Sequence, residues 1–164
     1  MSEDMRAVFQ TEMEDTRRAF HLLAASLTMD QWNRPSDNPG WTIGQVMFHM
    51  TLAPRFVRAD LFIMRRLRWM PRPPAAVFHT LNKHYTRLAA RGLTPATVTD
   101  EYDRSHHLAL EALFSVEPHE WKMGMSYPVR DPLLGRYVTV ERLFHYIKLH
   151  FDHHAGEIRR ALLR

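Results

Sequence analysis

Near its C-terminal end the chain reads His150-Phe151-Asp152-His153-His154. On a helix, at about 100° per residue, His150 and His154 stand about 40° apart and one turn apart in height. Both fall on the edge of the apolar face that Leu143, Ile147 and Ile158 define, whereas His153 is rotated away from it and His145 lies opposite. Two imidazoles presented together from successive turns have the spacing with which histidines chelate one metal ion. The His-Glu-x-x-His pattern of the zincins would need a glutamate where this chain has Phe151, so the built-in general base of a metalloprotease is missing.

Two ligands are not a site, and a third must come from another segment. His49 is the candidate. It sits mid-helix in a stretch apolar on two sides, in a row with Leu52 and Phe56. It lies on the flank of the Ile43/Met47/Met50 stripe, so it qualifies only if that flank faces the last helix. A single buried histidine is more often a hydrogen-bonded core residue than a ligand. Glu157 is one turn beyond His154 on the same edge. It either orients a ligand or acts as general base, or it is a surface carboxylate near a helix end. Glu12, close to the apolar stripe of the first helix, reads first as a half-exposed glutamate. His106 reads as a core-edge histidine and His107 as solvated. Tyr85, Tyr102 and Tyr127 can contact a substrate, with nothing to single them out. Three neutral imidazoles would leave a 2+ charge uncompensated. A water on the ion would then have its pKa pulled toward about 7, or a thiolate could be held there as a nucleophile. Such ligands suit zinc or nickel, with iron, cobalt or manganese as alternatives.

The elements that must position these residues are helices. Apolar residues of the first segment, Glu3 to Leu27, recur at three- and four-residue spacing. Thr28 to Trp41 reads as a long connection that carries Trp32 and Trp41, which predicts that it packs onto the body. Thr42 is the expected N-cap of a second helix, with Gln45 in the capping-box position. That helix runs to about Leu67, kinked or locally broken near Pro54. Its apolar rows are Ile43/Met47/Met50 and Leu52/Phe56/Ile63. Pro74 to about Arg91 reads as a shorter helix closed by Gly92. Thr94 and Pro95 open a third long helix, with Val98, Tyr102, Ala109, Leu113 and Val116 on its buried stripe. Pro118 to Tyr137 reads as irregular. The last helix, Thr139 to about Leu163, has the clearest apolar face. The sum is an all-α four-helix bundle with one extra short helix and long loops, one domain over 1–164.

Composition narrows the classes. With no cysteine among 164 residues, a disulfide framework, a thiolate metal cluster and a cysteine nucleophile are all excluded. A net charge of +4 permits nucleic-acid contact but does not demand it. The local basic run Arg65, Arg66, Arg68 and Arg72 around Trp69 reads first as a solvated helix end. The stretch Val46 to Met64 is broken by His49, Arg55, Arg58 and Asp60, so no membrane span is expected. Met1 to Arg6 does not read as a secretory signal, and a cytoplasmic location is expected.

The segment Gly40-Trp41-Thr42-Ile43-Gly44-Gln45, followed by His49, resembles the entry to the second helix of the DinB/YfiT-like family. The segment His150-x-x-x-His154-Ala155-Gly156-Glu157-Ile158 resembles that family's closing motif, with Glu157 where the family usually has glutamine. Order and spacing agree over essentially the whole chain. The resemblance implies a four-helix bundle holding one divalent ion on His49, His150 and His154, with positions left open for substrate. It also implies thiol-dependent transfer using a low-molecular-weight thiol co-substrate, or metal-dependent hydrolysis, of a small molecule. The competing expectation is a non-catalytic stress-response bundle that binds a small ligand or a partner. A homodimer is expected in either case.

Overall fold

The computed structural model describes residues 2–69, 75–126 and 133–164. Helices account for almost all of it: α1 (Ser2–Ala25), α2 (Met29–Asn33), α3 (Ile43–Met50), α4 (Leu52–Arg66), α5 (Ala75–Ala89), α6 (Pro95–Phe114) and α7 (Val140–Leu162). The bundle consists of α1, the α3–α4 pair, α6 and α7. The first packs on α6 and α7, and α4 packs on the same two. The shorter α5 lies against α3. Tyr127 and Arg72 lie outside the described residues, as do Met70 to Pro74.

Helix starts follow the sequence closely. Thr42 accepts from the Gln45 amide while the Gln45 side chain accepts from the Thr42 amide, a reciprocal cap that satisfies two otherwise orphaned donors. Thr94 with Pro95 and Thr139 open α6 and α7 in the same way as N-caps. Gly92, at φ +74°, turns the chain after α5, a backbone state that glycine adopts without strain.

Two expectations need correction, and for the second helix one of two alternatives is selected. The connection from Thr28 to Trp41 is not wholly irregular, because Thr28 and Gln31 form their own capping box and start the five-residue α2. Of the two alternatives for the second helix, a kink or a local break near Pro54, the structure has the break, at Thr51. Pro54 has no N–H to offer the Met50 carbonyl four residues back, and Thr51, fully buried, caps α3 with its hydroxyl on the Phe48 carbonyl at 2.8 Å. The buried face of α4 carries Leu52, Val57, Leu61 and Met64, and Phe56 is 45% exposed. Between Pro118 and Tyr137 the structure also has a short 3₁₀ turn (Pro118–Glu120) and a two-stranded antiparallel ribbon. In it β1 (Gly124–Ser126) pairs with β2 (Tyr137–Thr139), Met125 opposite Val138. Three-residue strands are too short to show alternation in sequence.

The loop tryptophans pack as expected, at 4% and 8% exposure. Trp32 covers Gly44, where a Cβ would come within 2.4 Å of the indole. Asp37 is held by Arg160 of α7 (3.1 Å) and by Arg164 just beyond it (2.9 Å), and the Gly40 carbonyl accepts from Arg87 of α5 at 2.9 Å. The connection is therefore clamped from two sides.

The core falls into two apolar clusters. One gathers Phe20, Leu23, Trp41, Met47, Tyr102, Phe151 and Ile158, and the other Phe9, Met13, Val57, Leu61, Leu113, Phe144 and Ile147. Helices α1, α4, α6 and α7 each contribute to both. The buried polar residues Thr16, Ser105, His106 and His150 sit between the two clusters along these helices. His106 is satisfied there by Glu14, 2.9 Å away. Polar residues thus mark the boundary between the clusters, and His150 is among them.

Candidate metal centre

His49 occupies the last turn of α3, one residue before the helix ends, and His150 and His154 project from successive turns of α7. The three rings meet. Their centroids are separated by 4.8 Å (His49–His150), 4.9 Å (His49–His154) and 4.5 Å (His150–His154). Nε2 of His49 and Nε2 of His150 are 3.1 Å apart. Each ring offers a ligand nitrogen, and these nitrogens all lie within 4.8 Å of one another. The flank of α3 that carries His49 therefore does face the last helix.

The donor set fits a divalent ion. Two nitrogens bound at about 2.0–2.1 Å on one tetrahedral ion would be roughly 3.3 Å apart, close to the observed pair. Burial, reinforced by the positive charge that a protonated His154 would bring, pushes the His49 imidazole down to about 3. Burial, together with His49, His154 and His153, holds His150 well below the usual histidine range. Both rings are thus neutral at physiological pH, with lone pairs free for a metal. Nδ1 of His49 and Nδ1 of His150 are buried without a hydrogen-bond partner.

His154 is oriented from behind. Its Nδ1–H donates to Oε2 of Glu157 at 2.6 Å, which leaves Nε2 as the free nitrogen. Burial alone would raise the Glu157 carboxyl. The His154 hydrogen bond and the nearby charges of His154, His153 and Arg160 outweigh it and hold the carboxyl below its ordinary value. It is a carboxylate at neutral pH. Of the two functional readings of Glu157, orienting a ligand is the one its geometry supports.

Two aromatic walls were not singled out from sequence. The Trp41 ring lies 4.7 Å from His49, and Tyr146 lies 5.2 Å from His150. Tyr146 precedes His150 by one helical turn, so the same spacing rule that paired His150 with His154 also points to it. The other candidates are elsewhere. Glu12 bonds His145 at 2.9 Å on the α1–α7 contact, and Tyr102 stacks on Phe20 at 4.1 Å in the core. His107 is solvated as expected. Arg65 departs from the solvated reading, since its guanidinium clamps Glu120 through two bonds of 2.8 and 2.6 Å.

The family model described as the DinB superfamily matches residues 12–158, and the chain belongs to that superfamily. Its fold is similar to that of a mycothiol-dependent maleylpyruvate isomerase, seen in the crystal structure of a histidine-to-alanine mutant, with a TM-score of 0.66 at 11% identity. The match covers 96% of this chain and 60% of that one, so the chain spans about three fifths of that enzyme's length. No curated protein matches it in sequence. Among the described residues, no helix is long and apolar enough to cross a membrane.

Proposed function

We propose that this DinB-superfamily chain is a metal-dependent enzyme that binds one divalent ion, zinc or nickel in preference to iron, cobalt or manganese, on His49, His150 and His154. The observation that carries the reading is the convergence of three imidazoles from α3 and α7, two of them stripped of protons by burial. When bound, the ion supplies Lewis acidity, which lowers the pKa of a water or thiol that joins it. The chain supplies the rest. Glu157 fixes the tautomer of His154, and the indole of Trp41 covers one side of His49 and keeps water from it. Asp37 and Gly40, tied to α7 and α5, hold that indole in place.

Between the two reaction types, thiol-dependent group transfer to or within a small molecule is favoured over hydrolysis. Among the described residues, Glu157 is the carboxylate grouped with His154, and its Oε2 accepts from that ring. Committed to orienting a ligand, it is poorly placed to act as general base. A thiol, with a pKa near 8.5, needs far less help to ionise than water does. The fold likeness to a mycothiol-dependent enzyme supports the same choice.

Metal content of the purified protein, compared with the His49→Ala/His150→Ala/His154→Ala variant, is the test. The wild type is expected to carry about one ion per chain and the variant none, and a panel of low-molecular-weight thiols is expected to reveal turnover in the wild type alone. Equal, sub-stoichiometric metal in both would overturn the proposal.

A further inference from the structure

Glu157 serves two histidines. While Oε2 accepts from His154, Oε1 lies 3.3 Å from Nε2 of His153, one turn back on the outer side of α7. His153, His154 and Glu157 bring their ligand atoms within 4.8 Å of one another. We propose that His153 Nε2 and Glu157 Oε1 form a second divalent-cation site, reached from solvent, with water completing the coordination and Glu157 Oε2 staying on His154.

Three observations favour it. A separation of 3.3 Å is wide for an N–H···O bond, whose usual range is about 2.7–3.2 Å, and matches two ligands about 2.0–2.2 Å from one ion. The carboxylate is pre-positioned, because its side chain is only 13% exposed and its far oxygen is fixed, whereas the His153 ring is 49% exposed and open to an arriving ion. The local charge is permissive too, since Arg160, the nearby cation, is paired with Asp37.

The chain contains its own control. His107 and Glu111 have the same i, i+4 spacing with 3.4 Å between Nε2 and Oε1. There the second carboxylate oxygen faces the Arg58 guanidinium at 3.3 Å, a positive charge that opposes a cation. Both side chains are also more exposed, at 74% and 49%, so ordering them costs more. The same spacing is thus predicted to bind metal at one place on the surface and not at the other.

An outer ion would draw charge from the carboxylate that orients His154. If the inner site is as proposed above, excess zinc or nickel therefore antagonises the ion held there. The outer site itself needs neither His49 nor His150.

Calorimetric titration of metal-free protein with zinc tests the proposal. The wild type is expected to show a tight event and a weaker second one. His153→Ala should weaken the second event at least tenfold and leave the first, and His107→Ala should leave both. His49→Ala should lose the tight event and keep the weaker one. A single event in the wild type, a second event that survives His153→Ala, or one that disappears with His107→Ala would overturn the outer site. A tight event that survives His49→Ala would instead overturn the inner site and leave the outer one standing. His153 is solvent-facing on a helix, so alanine there is not expected to impair folding.

Discussion

Acidifying the metal-free protein should cost it stability in a way that can be assigned to His49. Folded, that imidazole protonates only at about 3, and in the unfolded chain at about 6.5. Below 6.5 the unfolded state therefore takes up a proton that the folded state refuses. The stability is complete above about pH 6.5 and is lost as pH falls toward 3. Each pH unit in that window costs about 1.4 kcal/mol, so at pH 4.5 the loss from His49 alone is about 3 kcal/mol. That is a large part of the 5–15 kcal/mol typical of a domain. His150 is displaced in the same direction and adds to it. Urea unfolding of the metal-free protein, followed by helical circular dichroism at pH 7.5, 6.0 and 4.5, measures the loss. His49→Gln, which cannot titrate, is the reference. Glu14, Glu120 and Asp103, whose carboxyls lie below their usual values, lose their own stabilisation only at lower pH, and do so in both proteins. Wild type should fall more steeply than the variant by about 1.4 kcal/mol per unit between pH 6 and 4.5. Parallel slopes would show that His49 takes up a proton while folded, and the reasoning that its lone pair is held ready for a metal would fail.

Zinc at a hundred times its dissociation constant should stabilise the wild type by about 2.7 kcal/mol, or roughly 5–10 °C in Tm, and should leave the triple histidine variant unmoved in thermal denaturation. Glu157→Ala should weaken zinc binding at the inner site about 10- to 100-fold by calorimetry, and Glu157→Gln, which keeps an acceptor for His154, should weaken it less. Thr42→Ala removes the cap of the helix that carries His49 and should cost about 1 kcal/mol in chemical denaturation. Gly44→Ala forces a methyl into Trp32 and should cost about 1–3 kcal/mol, read by the same method.

What could be read from the sequence was what depends on local spacing. The pairing of His150 with His154, the caps at Thr42, Thr94 and Thr139, and the apolar stripes of the long helices all follow from a 3.6-residue period and the chemistry of helix ends. The places that eluded it depend on partners far along the chain. Phe56 has a good helical spacing with Leu52, yet α4 turns Val57, Leu61 and Met64 to the core and leaves Phe56 exposed. Arg65 looks like one of several surface arginines until the fold brings Glu120 against it, 55 residues on. The β1–β2 ribbon exists because Met125 and Val138 find each other under α7, not because either strand favours itself. His49 stands between these cases. Its helix was legible, but its flank became meaningful only once α7 lay beside it. The resemblance in two short motifs supplied what spacing alone could not.

The interruption at Thr51 and the position of the histidines belong to one arrangement. The last helix runs unbroken through both apolar clusters, so His150 and His154 are fixed to each other by a rigid rod, with Ile147 anchored in one cluster and Phe151 in the other. On the facing side the rod is in two pieces, and His49 sits at the end of the first piece, just before the break. A bundle needs no such break to bury Leu52 and Val57. The third imidazole thus comes to the pair from a short helix of its own, α3, rather than from α4. The connection clamped by Asp37 and Gly40 lays Trp41 on the same imidazole from outside. An ion on the three rings would then add a polar tie between α3 and α7, which already pack together in one apolar cluster.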